Sequence, residues 1–392
     1  LEQVLSGVRV IDVTNALAGS SATRMLAALG ADVIKVEPPR NGEFARRLMP
    51  FMFEAHNRGK RSLTVDLSHP DGSGLARRLA MSSDVLVQSM RPGALEAFGL
   101  GADALAKTNP RLIYASFSAF GTEGPGQDRR GVDGVVQAES GLAVLQSGVL
   151  GHTSYVDTVA GLALSQGILA ALMKRDRLGI VEPVEVSLLD AALYMQSATL
   201  AKFSATGVVA DPSTYREEHP LVGLYEAADG WIYIAPYWEG DWISLCALLG
   251  REDLISDIRF ADHAGRVRHS VHLRGELERS FLPGTCKDWV DSLESRGILA
   301  GVRRDPEAVL QDPQVAANKG VEEVQLSDGS SVSFPRLPIR LGGARIGSSD
   351  PSPQLGKDTE MLLDELGYAP AEVRRLRDLG VVTTVADERA RL

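Results

Sequence analysis

Alternating branched apolar residues open the chain: Val8-Arg9-Val10-Ile11-Asp12-Val13 has the period of a strand, with Val and Ile suited to a pleated surface. Ala18-Gly19-Ser20-Ser21 follows as a tight turn whose hydroxyls can cap a helix over 22–29, and Gly30 supplies a left-handed stop. Ala31-Asp32-Val33-Ile34-Lys35-Val36 is the returning strand, closed by Pro38-Pro39. The three elements make one βαβ unit. A helix N-terminus at a strand end is where open α/β sheets accept phosphorylated ligands, although this turn carries no G-x-G-x-x-G. Further short β-like runs at 84–88, 112–116 and 184–186 alternate with helical stretches, a rhythm that predicts βαβ crossovers and a mainly parallel sheet. Residues 161–175, "GLALSQGILAALMKR", read as a long apolar helix with cations in its last turn.

The texture changes past residue 206. "TGVVADPSTYREEHP" lapses into a linker or active-site loop, and "GLYEAADGWIYIAPY" from Gly223 predicts a hairpin through Asp229-Gly230. Helical patterns follow at 241–249, 267–280 and 286–296, so this stretch is a smaller α+β module. "DPEAVLQDPQVAANK" is a return connection. A second hairpin is expected around Asp328-Gly329, then terminal helices at 359–366 and 370–379. The expected fold class is α/β: a large Rossmann-like domain with a mainly parallel sheet, plus the α+β domain. Pattern alone would place these as beads on a string.

Composition narrows the chemistry. The 392 residues are 44% apolar and 23% charged, ample for a sizeable core. A net charge of −10 argues against a nucleic-acid partner. Cys246 and Cys286 form neither a metal pattern nor a disulfide framework, and read as small buried hydrophobes. No uninterrupted run of about 18 apolar residues is present, so no membrane span is expected and a reducing cytoplasm is the default location.

A resemblance carries more than these patterns. "VIDVTNALAGSSATRMLAALGADVIKVEPP" resembles the opening of the class III coenzyme A transferases, a family that includes formyl-CoA transferase and carnitine CoA-transferase and shares its fold with the α-methylacyl-CoA racemases. The likeness continues in family order through "NRGKRSLTVDL", "RPGALEAFGL", "GTEGPGQDRRGVDGVVQAESG", "VDTVAGL", "VEVSLLDAAL" and "PQLGKDTEMLLDELGY". It implies a discontinuous CoA-binding domain over 1–203 and 322–392, with linkers at 204–220 and 306–321 around a small domain at 221–305. It also implies a homodimer of interlocked rings.

Asp157, in Tyr155-Val156-Asp157-Thr158, is by pattern alone a good helix N-cap. The resemblance makes it the catalytic aspartate, and a carboxylate is chemically able to attack an acyl-CoA carbonyl. The helix N-terminus is expected to keep it ionised. His152 reads as a loop residue and Asp190 as a helix cap. Asp133 and Glu139 could orient ligands or serve structural hydrogen bonds.

CoA needs cations for its phosphates, and Arg40, Arg46, Arg47, Arg58, Lys60, Arg61, Arg91 and Arg130 are available. By resemblance Ala16, Leu17 and Ala18 form the turn lying against CoA. Ser89, Met90, Arg91 and Ala94 lie in the CoA-contacting loop, and Arg130 stands where relatives have Lys. Formyl-CoA transferase has an Arg where this chain has Pro38, and Arg40 is the candidate substitute. The racemases' Gly-His-Asp is here Gly131-Val132-Asp133, and valine transfers no proton. The glycine-run loop of formyl-CoA transferase has no counterpart near Tyr215–Pro220, which argues against formyl or oxalyl specificity. The expectation is a CoA-transferase passing CoA from an acyl-CoA to a carboxylic acid. No metal is expected, and no cofactor beyond CoA as part of the substrate. The alternatives are an acyl-CoA racemase or a non-catalytic acyl-CoA-binding protein.

Overall fold

A computed structural model describes residues 3–146, 148–209, 218–347 and 350–389. Six parallel strands form its main sheet: β1 (Arg9–Val13), β2 (Asp32–Glu37), β3 (Arg61–Thr64), β4 (Val85–Gln88), β5 (Ile113–Ser118) and β6 (Val184–Ser187). Their spatial order is β3-β2-β1-β4-β5-β6, so the chain reverses direction across the sheet between β1 and β4. The α/β class with a parallel sheet is borne out.

Alternate side chains feed two cores, as the two-residue period requires. Ile11, Ile34 and Leu86 face one side with Leu75 and Leu79, and there the terminal helices Thr359–Glu365 and Pro370–Asp378 add Leu362, Leu363 and Leu376. Val10, Val33, Val85 and Ile113 face the other side, beneath helix α1 (Ala18–Ala28) and a long helix farther along the chain. The expected turn at Ala18-Gly19-Ser20-Ser21 is already the first turn of α1, because the reversal is completed at Asn15-Ala16. Gly30 has φ 103°, the left-handed stop that was expected.

Helix α2 (Asp133–Glu139) is followed by α3 (Tyr155–Leu178), which begins two turns earlier than the apolar run suggests. Over its 24 residues, α3 includes an 18-residue window of mean hydropathy 1.5, long and apolar enough by that measure to cross a membrane. It is not an uninterrupted apolar run, since Ser165 and Gln166 fall within it. Its positions Ala160, Leu164, Ile168 and Leu172 are buried, as in the core helix of a globular domain.

The chain divides into two compact units, one of residues 1–142, 150–197 and 317–392, the other of 143–149 and 198–316. The second holds an antiparallel sheet of β7 (Gly223–Ala227), β8 (Gly230–Ala235) and β9 (Leu299–Val302). The hairpin at Asp229-Gly230 is present, packed on Trp242, Leu277 and Phe281. Both cysteines are free and buried, as expected. The second expected hairpin pairs Val321–Gln325 with Ser331–Pro335. Of the Tyr215–Pro220 loop, residues 215–217 lie outside the described residues.

Candidate active site

The turn between β1 and α1 rests on buried charges. Asp12 on β1, Lys35 on β2 and Lys60 just before β3 have side chains wholly out of solvent. Ions so placed must be paired and hydrogen-bonded. Lys60 Nζ donates to Asp12 Oδ2 (2.8 Å), the Ser20 carbonyl (3.0 Å) and Asn57 Oδ1 (2.7 Å). Asp12 also accepts from the Thr14 amide (2.9 Å) and hydroxyl (2.6 Å), and from the Thr23 hydroxyl (2.7 Å). Lys35 Nζ donates to the Thr14 carbonyl (2.7 Å) and lies 3.5 Å from Glu43. Burial alone would raise Asp12, but Lys35 and Lys60 outweigh it and hold the carboxyl well below the usual range. Burial pulls Lys60 down to about 8.

These bonds fix the backbone above them. Glu43 Oε2 accepts the Ala16 amide (3.0 Å), and Ser89 Oγ accepts the Asn15 amide (3.0 Å). Ala16 is thereby held at φ 61°, a left-handed conformation unusual for a residue with a Cβ. A cavity of about 290 Å³ opens beside this turn, lined by Asn15, Pro38, Ser68, Met90 and Phe98 among others. It sits at the carboxyl ends of β1 to β4, over the point where strand order reverses, which is where open α/β sheets bind ligands.

Asp157 approaches the same turn from α3. At Gly161, one helical turn along from Asp157, an added Cβ would lie 2.8 Å from the Ala18 carbonyl oxygen, so α1 and α3 cross almost backbone to backbone. Asp157 is not the N-cap. The cap is Ser154, whose side chain makes no capping bond, and Asp157 is the third residue of the helix. The orphan N–H there is instead satisfied from α2: Asp133 Oδ2 accepts the Asp157 amide at 3.0 Å. Gln137, one turn along α2, donates to the other oxygen of Asp133 and accepts the Gly151 amide (3.0 Å). The Asp157 carboxylate itself accepts no hydrogen bond among the described residues. Burial, reinforced by Asp133, pushes Asp157 up to about 7, against the expectation that the helix end alone would keep it ionised.

The structure therefore brings Ala18, which follows Ala16 and Leu17 out of the turn, against the Asp157 helix, with Ser89 bonded to the turn at Asn15 and Met90 lining the cavity beside it. Ala94 starts the short helix Ala94–Ala97 after the Arg91 loop. Arg91 and Arg130 are exposed and make no ion pair among the described residues. Arg40, at φ 76°, reaches toward Gly380. Four other cations read as available for phosphates are engaged elsewhere: Arg46 with Glu37 (2.6 Å), Arg58 with Glu322 (2.8 Å), Arg61 with Asp32 and Glu365 (both 2.6 Å), and Lys60 with Asp12, while Arg47 is exposed. Arg129, not the ligand site, takes Glu139 (2.8 Å). Asp190 is not the cap expected of it: Ser187 caps that helix, its hydroxyl accepting the Asp190 amide (2.9 Å) and donating to the Asp190 carboxylate (2.6 Å), and His152 and Val132 are exposed. Asn15, Ser68 and Phe98 were missed as cavity residues. The buried network left a sequence signal in Asp12 and Lys35, charges set within otherwise apolar strands.

The family model described as CoA-transferase family III matches residues 5–359. A probable fatty acyl-CoA transferase of Mycobacterium tuberculosis is 34% identical over 384 residues, covering 92% of this chain and 97% of that protein. A succinate–glutarate CoA-transferase of Agrobacterium fabrum is 33% identical over 385 residues, covering 92% and 95%. A crystal structure of a CAIB/BAIF family protein from Brucella suis aligns with a TM-score of 0.85 at 29% identity, covering 93% of this chain and all of that one.

Proposed function

This chain belongs to CoA-transferase family III and is a CoA-transferase, and within that family we propose that Asp157 carries the group transfer as a covalent nucleophile. The observation that supports this reading is the Asp157 carboxylate itself. It stands in the first turn of α3, without a hydrogen-bond partner among the described residues, beside the β1–α1 turn. Its carboxylate attacks the acyl-CoA carbonyl and expels CoA thiolate, leaving a mixed anhydride. The thiolate then attacks the aspartyl carbonyl, releases the donor acid and forms an aspartyl-CoA thioester. An acceptor carboxylate attacks that thioester, again expelling thiolate, and thiolate attack on the acceptor's acyl carbon frees Asp157. The positive end of the α3 dipole stabilises each oxyanion.

CoA lies along the β1–α1 turn, with its pantetheine against Ala16 to Ala18 and its phosphates toward Arg91, Arg130 and Arg40. The cavity at Pro38 and Met90 takes the nucleotide end. Val132, in place of the racemases' histidine, has no proton to move, so the α-carbon of the acyl group keeps its configuration. The enzyme works in the cytoplasm as a homodimer of threaded rings, with α3 as a core helix. If the rings are threaded, tagged and untagged protein exchange subunits only over many hours; exchange within minutes refutes threading.

Incubation with an acyl-CoA donor alone tests the nucleophile. We expect a CoA ester on Asp157, trapped by hydroxylamine and mapped by mass spectrometry. Asp157→Ala abolishes transfer while acyl-CoA binding stays within about tenfold. An adduct elsewhere, or substantial transfer by the variant, overturns the assignment.

A further inference from the structure

We propose that Asp133 is a positioning residue for the transfer reaction: by clasping the amide of Asp157 it fixes the start of α3 and leaves the Asp157 carboxylate free to attack. This inference rests on Asp157 being the nucleophile. Asp133 is the first residue of α2 and only 6% exposed, yet it does not cap its own helix start. One carboxylate oxygen accepts from Gln137 and the other from the Asp157 amide at 3.0 Å. Gln137 is wholly buried and passes the constraint on, accepting the Gly151 amide at 3.0 Å. Thus the segment from Gly151 to Asp157 is held at both ends by one buried pair on α2.

The chemical consequence concerns what the nucleophile can bind. An Asp in the first turn of a helix ordinarily folds back onto the unpaired amides there, and a carboxylate so engaged is a weaker nucleophile. The Asp157 amide is already taken. A neutral acceptor would satisfy that N–H without setting a second carboxylate beside the nucleophile, so a charged, buried acceptor is the costlier arrangement. It is also the one that accepts from two donors at once, Gln137 and the Asp157 amide.

The polarity of the chain makes it testable. Asp133→Asn keeps size and one acceptor oxygen but turns its amide nitrogen toward the Gln137 donor. Adding Gln137→Glu restores these two bonds, the new side-chain amide donating to the new carboxylate, which still accepts the Gly151 amide, and gives up only the long contact from Gln137 Nε2 to the Gly151 carbonyl (3.4 Å). We expect Asp133→Ala to lower kcat about 100-fold and Asp133→Asn about tenfold, since small misplacement of a reacting group costs up to about 10²-fold. The double variant should return to within about threefold of wild type, with Tm and acyl-CoA Kd close to wild type throughout. Hydrogen exchange of the peptide spanning Gly151 to Ala160 should quicken in the two single variants and recover in the double one. A role in packing alone predicts that Asp133→Asn behaves as wild type, and that result overturns the proposal. So does a kcat loss that the folded double variant fails to restore. If Asp133→Ala does not fold, Asp133→Asn and its rescue still decide. Asp157→Ala run alongside separates the two claims. Its retention of transfer refutes the nucleophile, whereas an inactive Asp157→Ala beside a fully active Asp133→Asn refutes only the role of Asp133.

Discussion

Replacing Asp157 with Asn should stabilise the protein in a pH-dependent way while it destroys transfer. Burial, with Asp133 beside it, pushes the Asp157 carboxyl from 3.8 up to about 7, whereas in the unfolded chain it returns to its ordinary value. Below about pH 4 the group is neutral in both states and costs nothing. Between the two values the unfolded chain ionises first, so native stability falls as pH rises, and above about 7 the loss is complete. A gap of about three units at about 1.4 kcal/mol each is roughly 4 kcal/mol. Asp157 is half-buried, so solvent screening reduces this to about 2–4 kcal/mol. Urea denaturation of wild type and Asp157→Asn at about pH 5 and about pH 8 measures it directly. The variant should gain the full amount at the higher pH and only roughly 1–1.5 kcal/mol at the lower. An equal difference at both values, or a less stable variant at pH 8, would refute the electrostatic reasoning. In the wild type, kcat/KM should rise across the same window to a plateau above about pH 7, because only the ionised form attacks.

Lys60→Met leaves Asp12 buried with one cation fewer and should cost about 3–5 kcal/mol in denaturant titration, while Arg61→Ala, at a part-exposed cluster, should cost about 1 kcal/mol. A Lys60→Met protein as stable as wild type would show that Lys35 alone balances Asp12. Arg91→Ala should raise the KM for acyl-CoA roughly ten- to a hundredfold with a smaller change in kcat, the pattern of a lost charge-assisted contact far from the reacting carbonyl; unchanged steady-state constants would place Arg91 outside the CoA path.

Local chemistry determined much of this protein. The branched alternation at Val10, Ile11 and Val13, the stop at Gly30 and the proline pair after β2 specify strand, helix and strand through nearest-neighbour sterics, and the sheet follows. The Asp229-Gly230 hairpin was legible for the same reason. Only the resemblance singled out Asp157, since pattern alone reads an Asp before an apolar helix as a cap. Tertiary structure decided what surrounds it. That Asp133, 24 positions upstream, takes the Asp157 amide depends on how α2 meets α3. That Lys60 is a structural ion and not a phosphate ligand depends on its meeting Asp12, 48 positions away, beneath the β1–α1 turn. Charge state and availability are set by burial and by partners distant in the chain, because desolvation and Coulomb terms act through space, whereas strand and helix propensities act between neighbours.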